Sequence, residues 1–378
     1  MTKVMLLTSS LFGGGAERVI ATLARHLDRS KFTVTVAHLK ERGGIGRELT
    51  AQGHDVVGIV RPATVPGRYF SFLALKRVID ERQITIVHSH TTYALTDGAI
   101  CRLASAGKIR LVHTFHFGNY PHLPARYRVM EQWASRVGSH LVAVGHEQSA
   151  ILRALYRIPG RRISTIHNGT DSPPPDPDRE WASRLGQTGR TVIGTTATCI
   201  EQKGLDHLLD VAALMRQRNV PAVFVVAGEG PLRARLEARR DAMGLQNTVL
   251  FTGWKPNAGV TMTPLYDVLF QPSRWEAMSV VVLEAMACTK PVVATDVGDN
   301  RHVVQDGRTG YIVRPGDIEG MADRLTTLVA SKSRRDAMGV AGRQEYERHY
   351  TAAVMSRAYE DVYDRVSGGT ECAGSRAS

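Results

Sequence analysis

The sequence predicts an α/β protein built from two Rossmann-like units, and three observations support this. Apolar strand patterns alternate with amphipathic helical patterns through both halves of the 378 residues, and this alternation favours parallel, doubly wound sheets. A proline-rich stretch, Asp171–Asp178, interrupts the alternation near the middle of the chain, and prolines continue neither a helix nor a central strand. The length is sufficient for two domains of ordinary size.

The first half begins with a strand at Val4–Thr8 and a helical pattern at Ala16–Leu27. Further strands are expected at Phe32–Leu39, Val56–Val60, Ile84–His88, Arg110–Thr114, His140–Val144 and Arg162–Ile166. The second half predicts strands at Thr191–Thr196, Ala222–Ala227, Thr248–Thr252, Val268–Phe270, Val292–Ala294 and Gly310–Val313. Ligands of such sheets bind at the carboxyl ends of the strands.

These patterns predict an N-terminal domain over 1–170, a linker over 171–188 and a second domain over 189–342. A helical pattern at 343–366 follows. The last residues, 367–378, are small and polar and predict a disordered tail.

Composition narrows the class of protein. No apolar run approaches the roughly 18–20 residues that a membrane span needs. The apolar run at the N-terminus is brief and leads into a glycine loop, so it predicts a strand and not a signal peptide. The four cysteines show no C-x-x-C spacing, so neither a disulfide framework nor a zinc site is indicated and a cytoplasmic location is expected.

The positive charge is concentrated in the first half. Residues 1–170 carry 23 Lys+Arg against 10 Asp+Glu, whereas residues 171–378 carry 25 against 26. Such a field favours an anionic partner, such as an acidic lipid surface or a diphosphate-linked carrier, although it could serve solubility alone. Two segments, Arg61–Lys76 and Arg126–Arg136, mix arginines with aromatic and apolar residues, as interfacial segments at the inner membrane face do. They could equally be core helices with exposed arginines. No recognition motif supports nucleic-acid binding.

Two glutamates, Glu276 and Glu284, lie eight residues apart across a predicted loop-to-helix junction. The backbone N–H groups of Met278, Ser279 and Val280 between them form a helix start that suits a phosphate or diphosphate. Two carboxylates beside an anion site can bind the hydroxyls of two sugars. The simpler alternative is that Glu276 complements the helix dipole and that Glu284 is a solvated helix residue.

The segment from Glu284 to Gly298, EAMACTKPVVATDVG, resembles the signature of retaining family-4 glycosyltransferases of GT-B fold. The resemblance implies two Rossmann-like domains facing each other across a cleft, with the helical pattern at 343–366 crossing back to the first. It assigns Glu276 to the donor sugar and Glu284 to the ribose. Lys203 matches the lysine of the family's R-x4-K-G, which neutralises the leaving diphosphate, but Thr198 stands at the arginine position. Arg274 or Arg18 is a candidate replacement for that cation.

Other loops extend the resemblance. GGAER, with Gly14 and Gly15, is similar to the family's opening loop near the donor phosphate and acceptor, and it departs from the dinucleotide-binding pattern G-x-G-x-x-G. His116 matches a histidine that hydrogen-bonds the donor sugar. Gly228 and Trp254 lie in loops similar to those beside the nucleotide, Trp254 near the base. His88 and His90 have metal-compatible spacing but no third ligand in the pattern.

The resemblance implies a metal-independent, retaining glycosyltransferase without a cofactor. It would move a sugar from a nucleoside diphosphate sugar, with a UDP-sugar favoured, to a hydroxyl of a glycan or lipid-linked acceptor in cell-surface polysaccharide or glycolipid assembly. Two other hypotheses remain open at this point. One is a sugar-nucleotide epimerase or phosphorylase of the same fold, and the other is a non-catalytic nucleotide-sugar binding protein, which the substitution at Thr198 motivates.

Overall fold

The computed structural model describes residues 1–59, 71–172 and 175–368. The chain divides into two compact units, one formed by Met1–Gly169 and the segment that begins at Ala352, the other by Thr170–Thr351. Each unit contains one sheet in which every strand pairing is parallel. The prediction of an α/β fold with two Rossmann-like units is therefore confirmed.

The first unit has a seven-stranded sheet of order β3-β2-β1-β4-β5-β6-β7. Its strands are β1 (Thr2–Ser10), β2 (Phe32–Glu41), β3 (Asp55–Gly58), β4 (Ile86–Ser89), β5 (Arg110–Phe115), β6 (His140–Ala143) and β7 (Ile163–Thr165). The strand order reverses between β1 and β4, so the loops that leave these two strands diverge and open a crevice at their carboxyl ends.

The helices of this unit are α1 (Gly15–His26), α2 (Gly43–Ala51), α3 (Ser71–Arg82), α4 (Thr92–Ala104), α5 (Ala125–Val137), α6 (His146–Tyr156) and the C-terminal helix α15 (Ala352–Ser367). In α1 the apolar residues Val19, Ile20, Leu23 and Ala24 are buried, as their spacing predicts, and Ala21 and Thr22 between them are buried as well. The C-terminal helix α15 packs on this unit: Glu360 accepts a hydrogen bond from the backbone N–H of Asp28 at 2.8 Å.

The second unit has a six-stranded sheet of order β10-β9-β8-β11-β12-β13. Its strands are β8 (Thr191–Thr196), β9 (Ala222–Ala227), β10 (Val249–Gly253), β11 (Val268–Gln271), β12 (Val292–Thr295) and β13 (Gly310–Val313). Its helices are α7 (Arg179–Gly186), α8 (Leu205–Gln217), α9 (Arg233–Ala242), α10 (Ala258–Thr261), α11 (Val280–Ala287), α12 (Asn300–Val303), α13 (Ile318–Val329) and α14 (Lys332–His349). All residues of β9, β11 and β12 are buried, which explains their continuous apolar runs.

Two predicted segments differ in detail from the structure. The stretch predicted as a linker, 171–188, contains α7, because Asp178 accepts a hydrogen bond from the N–H of Trp181 at 3.1 Å and starts a helix there. The single helical pattern at 343–366 is two helices, since the chain leaves the helix at Tyr350 and Thr351 forms a parallel bridge with Thr170.

Parts of four predicted segments fall outside the described residues: position 60 of the third strand, 61–70 of the first arginine-rich segment, 173–174 of the linker and 369–378 of the tail. Within the described ranges, no helix combines the length and the apolar character that crossing a bilayer requires.

Candidate active site

The Glu276 carboxylate lies in the loop between β11 and α11 and is only 7% exposed. Its Oε1 atom accepts hydrogen bonds from Ser273 Oγ at 2.8 Å and Gln271 Nε2 at 3.3 Å, and pairs with Lys203 Nζ at 2.5 Å. Its Oε2 atom accepts a hydrogen bond from Gln202 Nε2 at 3.2 Å. A carboxylate that is removed from water requires such hydrogen-bond donors and a cation to replace its lost hydration.

A glycine turn brings Lys203 to this carboxylate. Gly204 adopts a φ of +58°, and a Cβ atom there would lie 2.0 Å from the carbonyl oxygen of Pro272. The carbonyl of Gln202 also accepts a hydrogen bond from the N–H of Arg274 at 2.7 Å. Only a residue without a side chain allows this approach, so the lysine-glycine pair positions the ammonium group through the backbone.

Met278, Ser279 and Val280 form the entry to α11. The helix begins at Val280 with Ser279 as its N-cap residue, and the Ser279 side chain makes no capping hydrogen bond. The Ser279 hydroxyl instead accepts a hydrogen bond from Gln271 Nε2 at 2.5 Å. The first-turn N–H groups therefore keep the positive end of the helix dipole near Glu276 and Lys203.

A second glycine fixes the backbone that carries Glu276. Gly298 has a φ of +52°, and a Cβ atom there would lie 2.4 Å from the Glu276 carbonyl oxygen and 2.6 Å from that of Ala277. The next residue, Asp299, donates its N–H to the Ala277 carbonyl at 3.0 Å. The last glycine of the family signature thus acts by close backbone contact with the site loop.

Glu284 lies in the second turn of α11, half-buried, against the short helix α10. A Cβ atom at Gly259 would lie between 2.6 and 2.9 Å from the atoms of the Glu284 carboxylate. Gly259 was not among the residues that the sequence pointed to, because no motif marks it. The two glutamates of the pair therefore have separate surroundings: Glu276 faces Lys203, and Glu284 faces the backbone of α10.

The loops after β8, β9 and β10 leave neighbouring strands at the same edge of the sheet. Gly228 donates its N–H to the Gly253 carbonyl at 2.9 Å, and a Cβ atom there would lie 2.0 Å from the Ala197 carbonyl oxygen. Trp254, directly after β10, is 68% exposed. Thr198 is exposed as well. An exposed indole at this edge is available for stacking on a planar ring.

Arg274 is one candidate to replace the arginine that the family has at the position of Thr198, but its side chain is already bound elsewhere. Its guanidinium pairs with Asp206 at 2.5 Å and contacts His207 Nε2 at 3.0 Å. Both partners lie on the first turn of α8. Arg274 therefore neutralises a carboxylate at this helix start, and Lys203 is the cation that faces Glu276.

In the first unit, α1 begins at Gly15 with Gly14 as its N-cap residue. The Glu17 side chain folds back over this turn and accepts hydrogen bonds from the backbone N–H groups of Gly14 and Glu17. Burial raises the pKa of the Glu17 carboxyl, and these hydrogen bonds oppose the rise. The helix start expected to receive a phosphate is thus covered by the chain's own carboxylate.

His116 follows β5 and belongs to a cluster of four histidines with His88, His90 and His113. His90 Nδ1 lies 3.0 Å from His116 Nε2, and Ser89 Oγ lies 2.9 Å from His113 Nδ1. Burial lowers the pKa of His116 to about 4 and, with the nearby His116, that of His113 to about 3. The pKa values of His88 and His90 are also well below the ordinary value, chiefly because of burial. The cluster is therefore neutral at pH 7.

Two parallel-sheet units with polar loops at the carboxyl ends of their strands define a Rossmann-like α/β architecture, which binds ligands at that edge of the sheet. Residues 13–172 match the family model described as Glycosyltransferase Family 4, and residues 178–345 match the model described as Glycosyl transferases group 1. The chain therefore belongs to the glycosyltransferases that these two models describe, as the resemblance implied.

Individual relatives agree with this assignment. The chain is 27% identical over 326 residues to alpha-maltose-1-phosphate synthase of Mycolicibacterium smegmatis, covering 78% of this chain and 82% of the relative. It is 25% identical over 278 residues to UDP-Gal:alpha-D-GlcNAc-diphosphoundecaprenol alpha-1,3-galactosyltransferase of Escherichia coli, covering 69% and 70%. The crystal structure of Anabaena Alr3699/HepE in complex with UDP matches with a TM-score of 0.83 and 19% identity, covering 96% of this chain and all of that chain. The fold is of the GT-B type.

Proposed function

We propose that this glycosyltransferase moves a sugar from a UDP-sugar to a hydroxyl of a glycan or lipid-linked acceptor, with retention of anomeric configuration. The observation that carries the proposal is the group formed by Glu276, Lys203 and the start of α11 at the carboxyl end of β11. UDP is bound by the similar Anabaena protein, and a lipid-diphosphate acceptor appears in the name of the E. coli relative.

In the proposed reaction, the bond between the anomeric carbon and the diphosphate oxygen breaks and the electron pair leaves with the diphosphate. The acceptor oxygen bonds to the anomeric carbon from the same face and passes its proton to the departing diphosphate oxygen. The Lys203 ammonium and the N–H groups of Met278, Ser279 and Val280 would stabilise the developing negative charge. Lys203 has three donors, so its pairing with Glu276 leaves donors for phosphate.

The remaining site residues receive supporting roles in this proposal. Glu276 would accept hydrogen bonds from donor-sugar hydroxyls and Glu284 from those of the ribose, while Trp254 would stack on the base and Gly228 would border the nucleotide. A neutral His116 suits contact with a sugar whose anomeric carbon gains positive character, since an imidazolium would repel it. Gly14 and Gly15 would border the acceptor side, and Glu17 would have to move if a phosphate were bound there.

Catalysis is proposed to need no metal, because Lys203 and the α11 start supply the positive charge. The test is a transfer assay with UDP-, GDP- and ADP-sugars, with and without EDTA. We expect transfer from a UDP-sugar, unchanged by EDTA, and loss of transfer in Glu276→Ala and Glu284→Ala. Unchanged product formation in both variants would refute the site assignment, and product formed without any acceptor would favour an epimerase.

The acceptor side is proposed to approach an anionic membrane surface through α5. Arg126, Val129, Trp133 and Arg136 recur at helical spacing and are all exposed, Val129 by 65% and Trp133 by 40%. A face of aromatic, aliphatic and cationic side chains is typical of interfacial helices. Liposome sedimentation tests this: Val129→Ser with Trp133→Ser should reduce binding to anionic vesicles, whereas Val340→Ser, which removes an exposed valine of α14, should not. Wild-type protein that binds neither anionic nor neutral vesicles would overturn the idea.

A further inference from the structure

A cavity of about 520 Å³ lies at the amino end of the first unit's sheet, away from the loops just described. Arg110 and His140 are the first residues of β5 and β6, and both line it. Arg102 in the last turn of α4, Arg161 before β7 and Arg365 in the last turn of α15 complete its cationic wall. Since parallel strands share their direction, this edge is opposite the one that bears the glycine loop and His116.

The described residues that line the cavity include four arginines and no carboxylate. Among the described residues, none of these four arginines forms an ion pair, and neither does the adjacent Arg162. Arg102 donates to the Ile109 carbonyl at 2.5 Å, and Arg162 donates to the Ser135 carbonyl at 2.9 Å. Backbone carbonyls orient these side chains but carry no compensating charge.

The uncompensated charge affects neighbouring groups. Burial and then Arg365 and Arg162 lower the pKa of His140 to about 4, while its Nε2 atom lies 2.8 Å from Ser164 Oγ. Burial, with Arg110 and Arg162, also lowers the pKa of Arg102. Like charges held together in a concave site are stabilised when an anion occupies it.

We propose that this cavity is a binding site for a phosphate-bearing anion, separate from the candidate active site. Guanidinium groups bind phosphate oxygens through paired hydrogen bonds, and Ser164 supplies a neutral partner on the same wall. The volume is in the range of small-ligand sites. The phosphate could belong to a soluble ion or to the headgroup of an anionic lipid, and experiment distinguishes these sources.

The first arm of the test measures binding of inorganic diphosphate to the full chain by calorimetry at fixed ionic strength. The titrations use a Lys203→Ala background, which removes the cation of the candidate active site. Diphosphate bound at that site then does not contribute to the signal from the cavity. In this background, Arg110→Ala with Arg161→Ala should weaken binding by at least about tenfold for each arginine removed. Both residues are exposed, so folding should persist. Arg29→Ala, an exposed arginine of the same unit outside the cavity, is the matched control.

The second arm measures sedimentation with phosphatidylglycerol and phosphatidylcholine vesicles, using Val129→Ser with Trp133→Ser as the background. If the loss of Arg110 and Arg161 weakens binding to phosphatidylglycerol vesicles, the ligand is a lipid headgroup. If it weakens binding of diphosphate but not of vesicles, the ligand is a soluble anion. In NMR, diphosphate should raise the pKa of His140 from about 4, because the anion offsets the arginine charges. If the double variant binds diphosphate and vesicles as tightly as the Arg29→Ala control does, the proposal is overturned.

Discussion

The Lys203 ammonium pairs with the buried Glu276 carboxylate at 2.5 Å, although 73 positions separate the two residues. Lys203 is 22% exposed and Glu276 is 7% exposed, so both charges are partly removed from water. The pair gives Lys203 two functions: it compensates a buried carboxylate and it presents a cation beside the start of α11. Stability and activity should therefore respond differently to its removal.

Lys203→Met should lower the free energy of unfolding of the second unit by about 3 kcal/mol, because Glu276 would keep neutral donors but lose its cation. Adding Glu276→Gln should restore most of that stability, since the buried charge disappears as well. Neither the single nor the double variant should transfer sugar. Urea denaturation and the transfer assay measure the two properties. A double variant no more stable than Lys203→Met would show that Lys203 does not compensate the buried charge of Glu276.

Gly204→Ala should destabilise the protein and weaken donor binding together. The new Cβ atom would lie 2.0 Å from the Pro272 carbonyl oxygen, so the turn that carries Lys203 must move. Gly189 has nearly the same φ, +60°, but nothing lies within 4 Å of a Cβ atom there. Gly189→Ala therefore reports the conformational cost alone, about 1 kcal/mol, and should leave activity intact. Thermal unfolding measures stability and donor titration measures affinity. If Gly204→Ala and Gly189→Ala lose equal amounts of both, the contact between residue 204 and the Pro272 carbonyl oxygen does not matter.

Gly259→Ala should displace the Glu284 carboxylate, because a Cβ atom at this position would lie 2.6 Å from its carboxyl carbon. If Glu284 holds the ribose, nucleotide affinity should fall by about tenfold, the effect of losing one charge-assisted hydrogen bond. Gly186→Ala in α7, where nothing lies within 4 Å, should leave affinity unchanged and stabilise the helix slightly. Calorimetric titration with UDP measures both, and an unaltered affinity in Gly259→Ala would separate Glu284 from the nucleotide.

Strands buried on both faces were predictable because their apolar runs are continuous: Ala222–Ala227 was predicted with the bounds that β9 has in the structure. The position of Glu276 before a helix was predictable from Pro272 and the pattern that follows it. Contacts between distant segments were not predictable. Nothing local indicates that Gly259 faces Glu284, or that Arg274 is bound to Asp206.

Some missed residues did leave a signal in the sequence. Gln271 is a polar residue at the end of an otherwise apolar strand, and a buried amide must find partners, here Glu276 and Ser279. Glu17 stands three positions after Gly14, the spacing at which a glutamate folds back on a helix start. Both signals are short and common, so they become specific only when the fold supplies the partners.

The first unit should lose stability as the pH falls below about 6.5, the ordinary pKa of histidine. The four clustered histidines have lowered pKa values in the folded chain, His116 at about 4 and His113 at about 3. They stay neutral there while the unfolded chain binds protons. The contribution of these histidines to the free energy of unfolding is therefore fully present above about pH 6.5. It declines as the pH approaches 4, by up to about 1.4 kcal/mol per pH unit for each histidine. Burial also raises the pKa values of Asp97, to about 6, and of Glu17 and Glu131, and these carboxyls oppose the decline. Three further histidines of the unit with lowered pKa values, His38, His54 and His140, add to it.

Hydrogen exchange at pH 7.5, 6.5 and 5.5, corrected for the intrinsic exchange rate, measures this effect on peptides from β4 and β5. Protection there should fall steeply below pH 6.5. Peptides from β9 and β11 of the second unit are the internal control, because none of the buried histidines among the described residues belongs to that unit. Their protection should change less over the same interval. Equal pH dependence in the two units would show that the buried cluster does not govern the acid sensitivity of the first.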